Sequence, residues 1–105
     1  RDFVNIEDVI QANIKACTPK QNGVYNVGTG EPRSFQDIAD ILQQELGTNL
    51  GTEYFTNPYD GYQMHTQADI SESEKYLGYQ PKITLEQGIK DYVAEIKRLF
   101  KEEIN

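Results

Sequence analysis

Arg1, Tyr62, Gln63 and His65 are the residues of this chain whose types suit work on a polar ligand. A guanidinium is always charged and can hold a phosphate through two parallel hydrogen bonds. From its position alone, though, Arg1 reads as a solvated terminal arginine. A tyrosine on a loop can hydrogen-bond a phosphate or stack on a base. Tyr62 and Gln63 follow the turn-forming run Asn57-Pro58-Tyr59-Asp60-Gly61, although a partly buried tyrosine is also common in a chain that holds seven. His65, the only histidine, could carry a proton. No nucleophile or metal ligand stands beside it, so a surface or structural place is expected.

Gly28-Thr29-Gly30 invites a dinucleotide reading, in which glycines let the backbone approach a pyrophosphate at a helix N-terminus. Arg33 occupies the place of the third glycine, and Pro32 removes a backbone donor. Glu53 falls roughly where a ribose-binding acid would lie. The expected role is nevertheless a tight turn that delivers the chain to the next helix. One histidine and one cysteine cannot make a zinc cluster. There is no P-loop and no Ser-His-Asp set, so the expectation is no catalytic, cofactor-binding or metal-binding residue.

The elements that must position these residues follow from periodicity and caps. Asn5 is a helix N-cap, with Glu7 and Asp8 in the first turn where the helix dipole favours acids. Ile6, Val9, Ile10, Ile14 and Cys17 make an apolar stripe, and Thr18-Pro19 ends that helix. The Asn22-Gly23 turn leads into an expected strand over Gly23 to Val27. Ser34, with Asp37 three residues on, caps a second helix whose core face is Phe35, Ile38, Ala39, Ile41, Leu42 and Leu46, closed by Gly47. A strand is expected around Thr52 to Phe55. Tyr62 to Asp69 is expected as an irregular loop with room for a short strand. Ser71 to Leu77 is a short helix closed by Gly78, and Asp69 is a candidate for its cap. Thr84 and Gln87 form a Thr-x-x-Gln box for the last helix, with Leu85, Ile89, Tyr92, Val93, Ile96, Leu99 and Phe100 as its core stripe.

The pattern suggests an α/β piece. Its 105 residues make one domain. The chain is polar, with 37% apolar residues and a mean hydropathy of -0.69. Two or three short strands are marginal by themselves, so part of the sheet and core is expected to come from other polypeptide. A net charge of -7 argues against a nucleic-acid partner, which needs a clustered positive surface. A phosphate-bearing ligand would need a local cation such as Arg1 or Arg33. The single cysteine excludes an internal disulfide and fits a reducing compartment. No apolar run reaches the ~20 residues of a membrane span.

Three segments resemble the extended short-chain dehydrogenase/reductases. Arg1-Asp2-Phe3-Val4-Asn5-Ile6-Glu7-Asp8-Val9 is similar to their RDF-[VI]-x-[VI]-x-D-V motif. Tyr25-Asn26-Val27-Gly28-Thr29-Gly30, followed by Ser34, is similar to Y-N-x-G-x-G-x-x-x-S. Leu77-Gly78-Tyr79-Gln80-Pro81 with Leu85-Glu86-Gln87-Gly88-Ile89 is similar to the closing L-G-[WY]-x-P and L-x-x-G-[IL]. Tyr62-Gln63, with Thr66-Gln67-Ala68-Asp69, resembles the ADP-glyceromanno-heptose 6-epimerase branch of that family. Asn5 stands where the motif often has an aromatic or histidine.

The resemblance implies a Rossmann-type fold. It makes residues 1–105 a helix-rich, C-terminal substrate-binding domain with a few short strands, and it places the NAD(P)-binding domain outside them. It implies an isomerase that uses tightly held NADP, or NAD, to invert an ADP-sugar in the cytoplasm for lipopolysaccharide core assembly. Arg1 and Tyr62 match positions that contact the ADP-sugar, and Gln63 neighbours them. The family's Tyr-x-x-x-Lys acid/base pair is not found in these residues, so the fragment alone is expected to be inactive. The full-length enzyme is expected to be a homo-oligomer without nucleic-acid or membrane partners. The alternatives are an epimerase or dehydratase of a UDP-, dTDP- or CDP-sugar, and a non-catalytic binding domain.

Overall fold

In the computed structural model, which describes residues 1–104 and their side chains as far as Lys101, four helices carry the chain. They are α1 (Ile6–Lys15), α2 (Phe35–Leu46), α3 (Ser71–Leu77) and α4 (Leu85–Ile104). The start and stop signals explain the bounds. The Asn5 side chain accepts from the Glu7 amide at 2.9 Å. Ser34 and Asp37 exchange both bonds of a capping box, at 3.0 and 3.1 Å. Gly47 and Gly78 end α2 and α3 at φ of 71° and 70°, a conformation that costs glycine least. Thr84 accepts from the Gln87 amide at 3.1 Å, but the Gln87 side chain donates onward to Asp91 and not back to the cap.

The expected strands are absent: no strand forms among the described residues. Val24 stands 95% exposed and Phe55 84%, with no neighbouring extended segment to supply a ladder. A strand pairs with another strand or remains a loop. Other groups take up the backbone of residues 26–28. The Ser73 hydroxyl donates to the Asn26 carbonyl, and the buried Tyr79 hydroxyl donates to the Gly28 carbonyl at 2.6 Å. Burial pushes the Tyr79 hydroxyl's pKa up, as do the nearby Asp8 and Asp2, which keeps it a donor.

The helices pack in two pairs, α1 on α3 and α2 on α4. The core lies by the first pair: Ala12, Ile70, Leu77 and Tyr79 are buried, with Tyr25 and Ala68 against them. Val93 is the buried apolar side chain among those described on α4. Several stripes read from the sequence do not face inward. On α1 the buried side chains are Asp8 and Ala12, while Ile6 and Ile14 are each 67% exposed. Phe35 and Leu46 of α2 and Tyr92, Ile96, Leu99 and Phe100 of α4 are also exposed. The molecule is a slab of 48 × 40 × 19 Å.

Candidate functional site

Arg1 and Tyr62, 61 positions apart, meet in space: the guanidinium carbon sits 4.7 Å from the centre of the tyrosine ring. A cation over an aromatic face is attracted by the ring's electron density. Two backbone bonds with Arg33 fix the Arg1 main chain: the Arg33 amide donates to the Arg1 carbonyl at 2.7 Å, and the Arg1 nitrogen donates to the Arg33 carbonyl at 2.8 Å. Arg1 lines a depression of about 260 Å3 with Pro32, Arg33, Ser34, Met64 and His65. Ser34 brings the N-terminal, electropositive end of α2 to its wall.

The two arginines differ in state. Arg33 is bonded to Glu86 at 2.5 Å and to Asp37 at 3.2 Å. The Glu86 bond first, and the Asp37 bond after it, hold its guanidinium further above its already high pKa. Arg1 has no carboxylate partner among the described residues. In a chain of net charge -7, it is the arginine at this depression without a carboxylate beside it. Gln63 is exposed and makes no side-chain hydrogen bond among the described residues. His65 is exposed beside Arg1, without a nucleophile. Asp69 accepts from the Ser71 amide at 3.1 Å and from the Ser71 hydroxyl, which lowers its pKa. It thus braces α3 one residue ahead of the cap position, Ile70.

The Gly28-Thr29-Gly30 turn does cradle an anion, and that anion is the chain's own. One Asp2 carboxylate oxygen accepts from the Thr29 amide at 2.9 Å and the Thr29 hydroxyl at 2.6 Å. The other accepts from the Gly30 amide at 2.8 Å and the Ala68 amide at 3.1 Å. Burial works to raise the carboxyl's pKa, but the bonds from Thr29, Ala68 and Gly30 outweigh it and hold the group below the ordinary aspartate value. A dinucleotide phosphate would find these donors already occupied. Asp8 repeats the construction: it is 2% exposed and accepts from the Lys82 and Ile83 amides at 3.0 and 3.1 Å. From the sequence Asp8 reads only as a first-turn acid favoured by the helix dipole, and Asp2 carries no role of its own. The one available signal was their place inside the Arg1–Val9 motif. Among the described residues no group of three His, Cys, Asp or Glu could hold a metal, and no helix is long and apolar enough to cross a membrane.

No family model matches the chain. A curated relative, a putative UDP-glucose 4-epimerase of Methanocaldococcus jannaschii, is 37% identical over 97 residues, which are 92% of this chain and 31% of that protein. The crystal structure of Helicobacter pylori ADP-L-glycero-D-manno-heptose-6-epimerase is 47% identical with a TM-score of 0.81, over 92% of this chain and 30% of that one. A Bacillus cereus UDP-glucuronic acid 4-epimerase variant, solved with a UDP-sugar and NAD, is 32% identical with a TM-score of 0.77, over 91% and 32%. The chain thus spans about a third of the length of the proteins it matches. By sequence and by fold the chain is similar to one part, about a third, of nucleotide-sugar epimerases of the extended short-chain dehydrogenase/reductase type.

Proposed function

We propose that residues 1–105 are the C-terminal, substrate-binding domain of a nicotinamide-dependent nucleotide-sugar epimerase, with an ADP-heptose as the sugar donor. The observation that carries this reading is Arg1: an unneutralised guanidinium stacked on Tyr62 at the rim of a depression. Such a group can grip a diphosphate with its two-pronged face while the ring fixes its direction. Tyr62 offers its hydroxyl to the same ligand, and Gln63, exposed on the same loop, completes the assigned contacts. The 47% identity to the heptose epimerase supports the ADP-sugar over other donors.

The residues present do not fit a nicotinamide cofactor, because Asp2 occupies the one glycine turn that resembles a dinucleotide cradle. The cofactor is therefore assigned to an N-terminal Rossmann domain outside these residues. NADP is the proposed form on the family resemblance, and NAD, present in the solved Bacillus relative, is the alternative. The hydride and acid/base steps belong to that other part, and the 105 residues alone are proposed to be inactive. The complete protein is proposed to be a cytoplasmic homo-oligomer. The similarity to UDP-sugar epimerases favours a second reading, in which the same cleft takes a UDP-sugar.

The test is turnover of ADP-heptose and of UDP-glucose by the complete protein, with NADP and NAD supplied separately. Epimerisation of the ADP-sugar is expected. In that protein Arg1→Ala should raise KM for the nucleotide sugar roughly tenfold to a hundredfold, as loss of a charged hydrogen-bonding group does. Tyr62→Phe, which keeps the ring under the cation, should do less. Unchanged constants in both variants would remove the assignment of this site.

A further inference from the structure

We infer that Asp2 is a positioning residue for the nucleotide-sugar cleft, its carboxylate setting where Arg1 stands against Tyr62. The inference rests on the function proposed above. Three distant segments converge on this one side chain. Asp2 directly follows Arg1, the Thr29 and Gly30 donors lie 27 and 28 positions on, and Ala68 lies 66 positions on. Ala68 is six residues past Tyr62, so the bond from its amide anchors the loop that lays Tyr62 over Arg1. The Gln67 side chain adds a second tie from that loop to the Gly30 carbonyl at 2.8 Å.

Gly28 leaves room for this arrangement. A Cβ there would stand 2.6 Å from the Ala68 Cβ and 2.9 Å from an Asp2 carboxylate oxygen. Any side chain at position 28 would therefore press the loop and the carboxylate apart. The charge matters as much as the space. Asp2 offers two acceptor oxygens to four donors. An asparagine would keep the shape but turn an N–H2 group against two of those donors.

Asp8 supplies an internal control. It is a carboxylate seated on backbone amides in the same manner, fully buried where Asp2 is half-buried, but it joins α1 to Lys82 and Ile83 and touches nothing in the Arg1–Tyr62 cluster. If amide-bound carboxylates here serve only stability, Asp2→Asn and Asp8→Asn should behave alike.

The experiment compares D2N, D8N and G28A in the complete protein by melting temperature and by steady-state kinetics on the ADP-sugar. All three should melt lower than the wild type. D2N and G28A alone should raise KM, by about tenfold, with kcat within about twofold, because small displacements of a binding group act on ground and transition state together. Adding Ala68→Gly to G28A should recover part of the KM by relieving the nearer clash. Wild-type KM in D2N, or an equal rise in D8N, overturns the inference and leaves the proposed function standing. If D2N does not fold, G28A decides on the same readout. A wild-type protein that turns over neither nucleotide sugar overturns the proposed function and this inference with it.

Discussion

At the scale of single residues, the chain uses like chemistry for opposite ends. Arg33 and Asp2 spend their charges inside the molecule, on Glu86 and Asp37 and on three backbone amides. Arg1 has no carboxylate partner among the described residues. Internal satisfaction has a pH signature. The folded Asp2 carboxyl titrates below its ordinary value near 3.8, and Asp37 is lowered too, by bonds from Ser34 and then Arg33. A depressed folded pKa means the unfolded chain binds protons first. The stabilisation is therefore complete above the unfolded value and is lost as pH falls from about 4 through the folded value. Urea titrations of the complete protein should show stability level from pH 7 to 5 and falling below 4. The fall should be shallower in Asp2→Asn. An equally steep fall in that variant would assign the acid sensitivity to other groups.

At the scale of elements, the caps carry most of what can be read locally. Ser34 is the most consequential, because α2 both packs on α4 and presents its N-terminus to the Arg1 depression. Ser34→Ala removes the hydroxyl that receives the Asp37 amide. It should cost about 1 kcal/mol, measured as a shift in the denaturation midpoint at unchanged slope. No shift would mean that the helix start is held by its packing, including the edge-on contact of Phe35 with Phe3 at 5.7 Å. The missing strands teach the converse. Gly23 to Val27 has strand composition, but a ladder is a property of two segments, and side-chain bonds from Ser73 and Tyr79 take the place of a neighbouring strand.

At the scale of the whole molecule, the shape departs from that of a self-sufficient domain. A radius of gyration of 17.2 Å compares with about 13 Å for a compact chain of this length. The accessible surface is 8235 Å2, against about 6,000 Å2 for a compact monomer of this mass. The slab is 19 Å thick, less than half of either other dimension. Its exposed Ile6, Ile10 and Ile14 lie on one face of α1 at spacings of four. An exposed apolar face of this kind suits burial against another surface. The isolated 105-residue chain should therefore self-associate in sedimentation experiments, and the complete protein should protect the α1 amides strongly from hydrogen exchange. A strictly monomeric isolated chain with a sharp thermal transition would show that the face needs no cover.

The sequence by itself determined the four helix starts, the ends of α2 and α3, the turn at Gly28-Thr29-Gly30 and the likeness to the extended short-chain dehydrogenase/reductases, because caps, glycines and motif spacing act within a few residues. It also named Arg1 and Tyr62, but only by resemblance. Only the tertiary structure decided that these two stand together, that Arg33 is neutralised while Arg1 is not, and that the glycine turn holds Asp2. The physical reason is separation along the chain. A carboxylate seated on donors up to 66 positions away leaves no periodic trace in the sequence. An apolar stripe such as that of α1 reads the same whether its own chain or another polypeptide covers it.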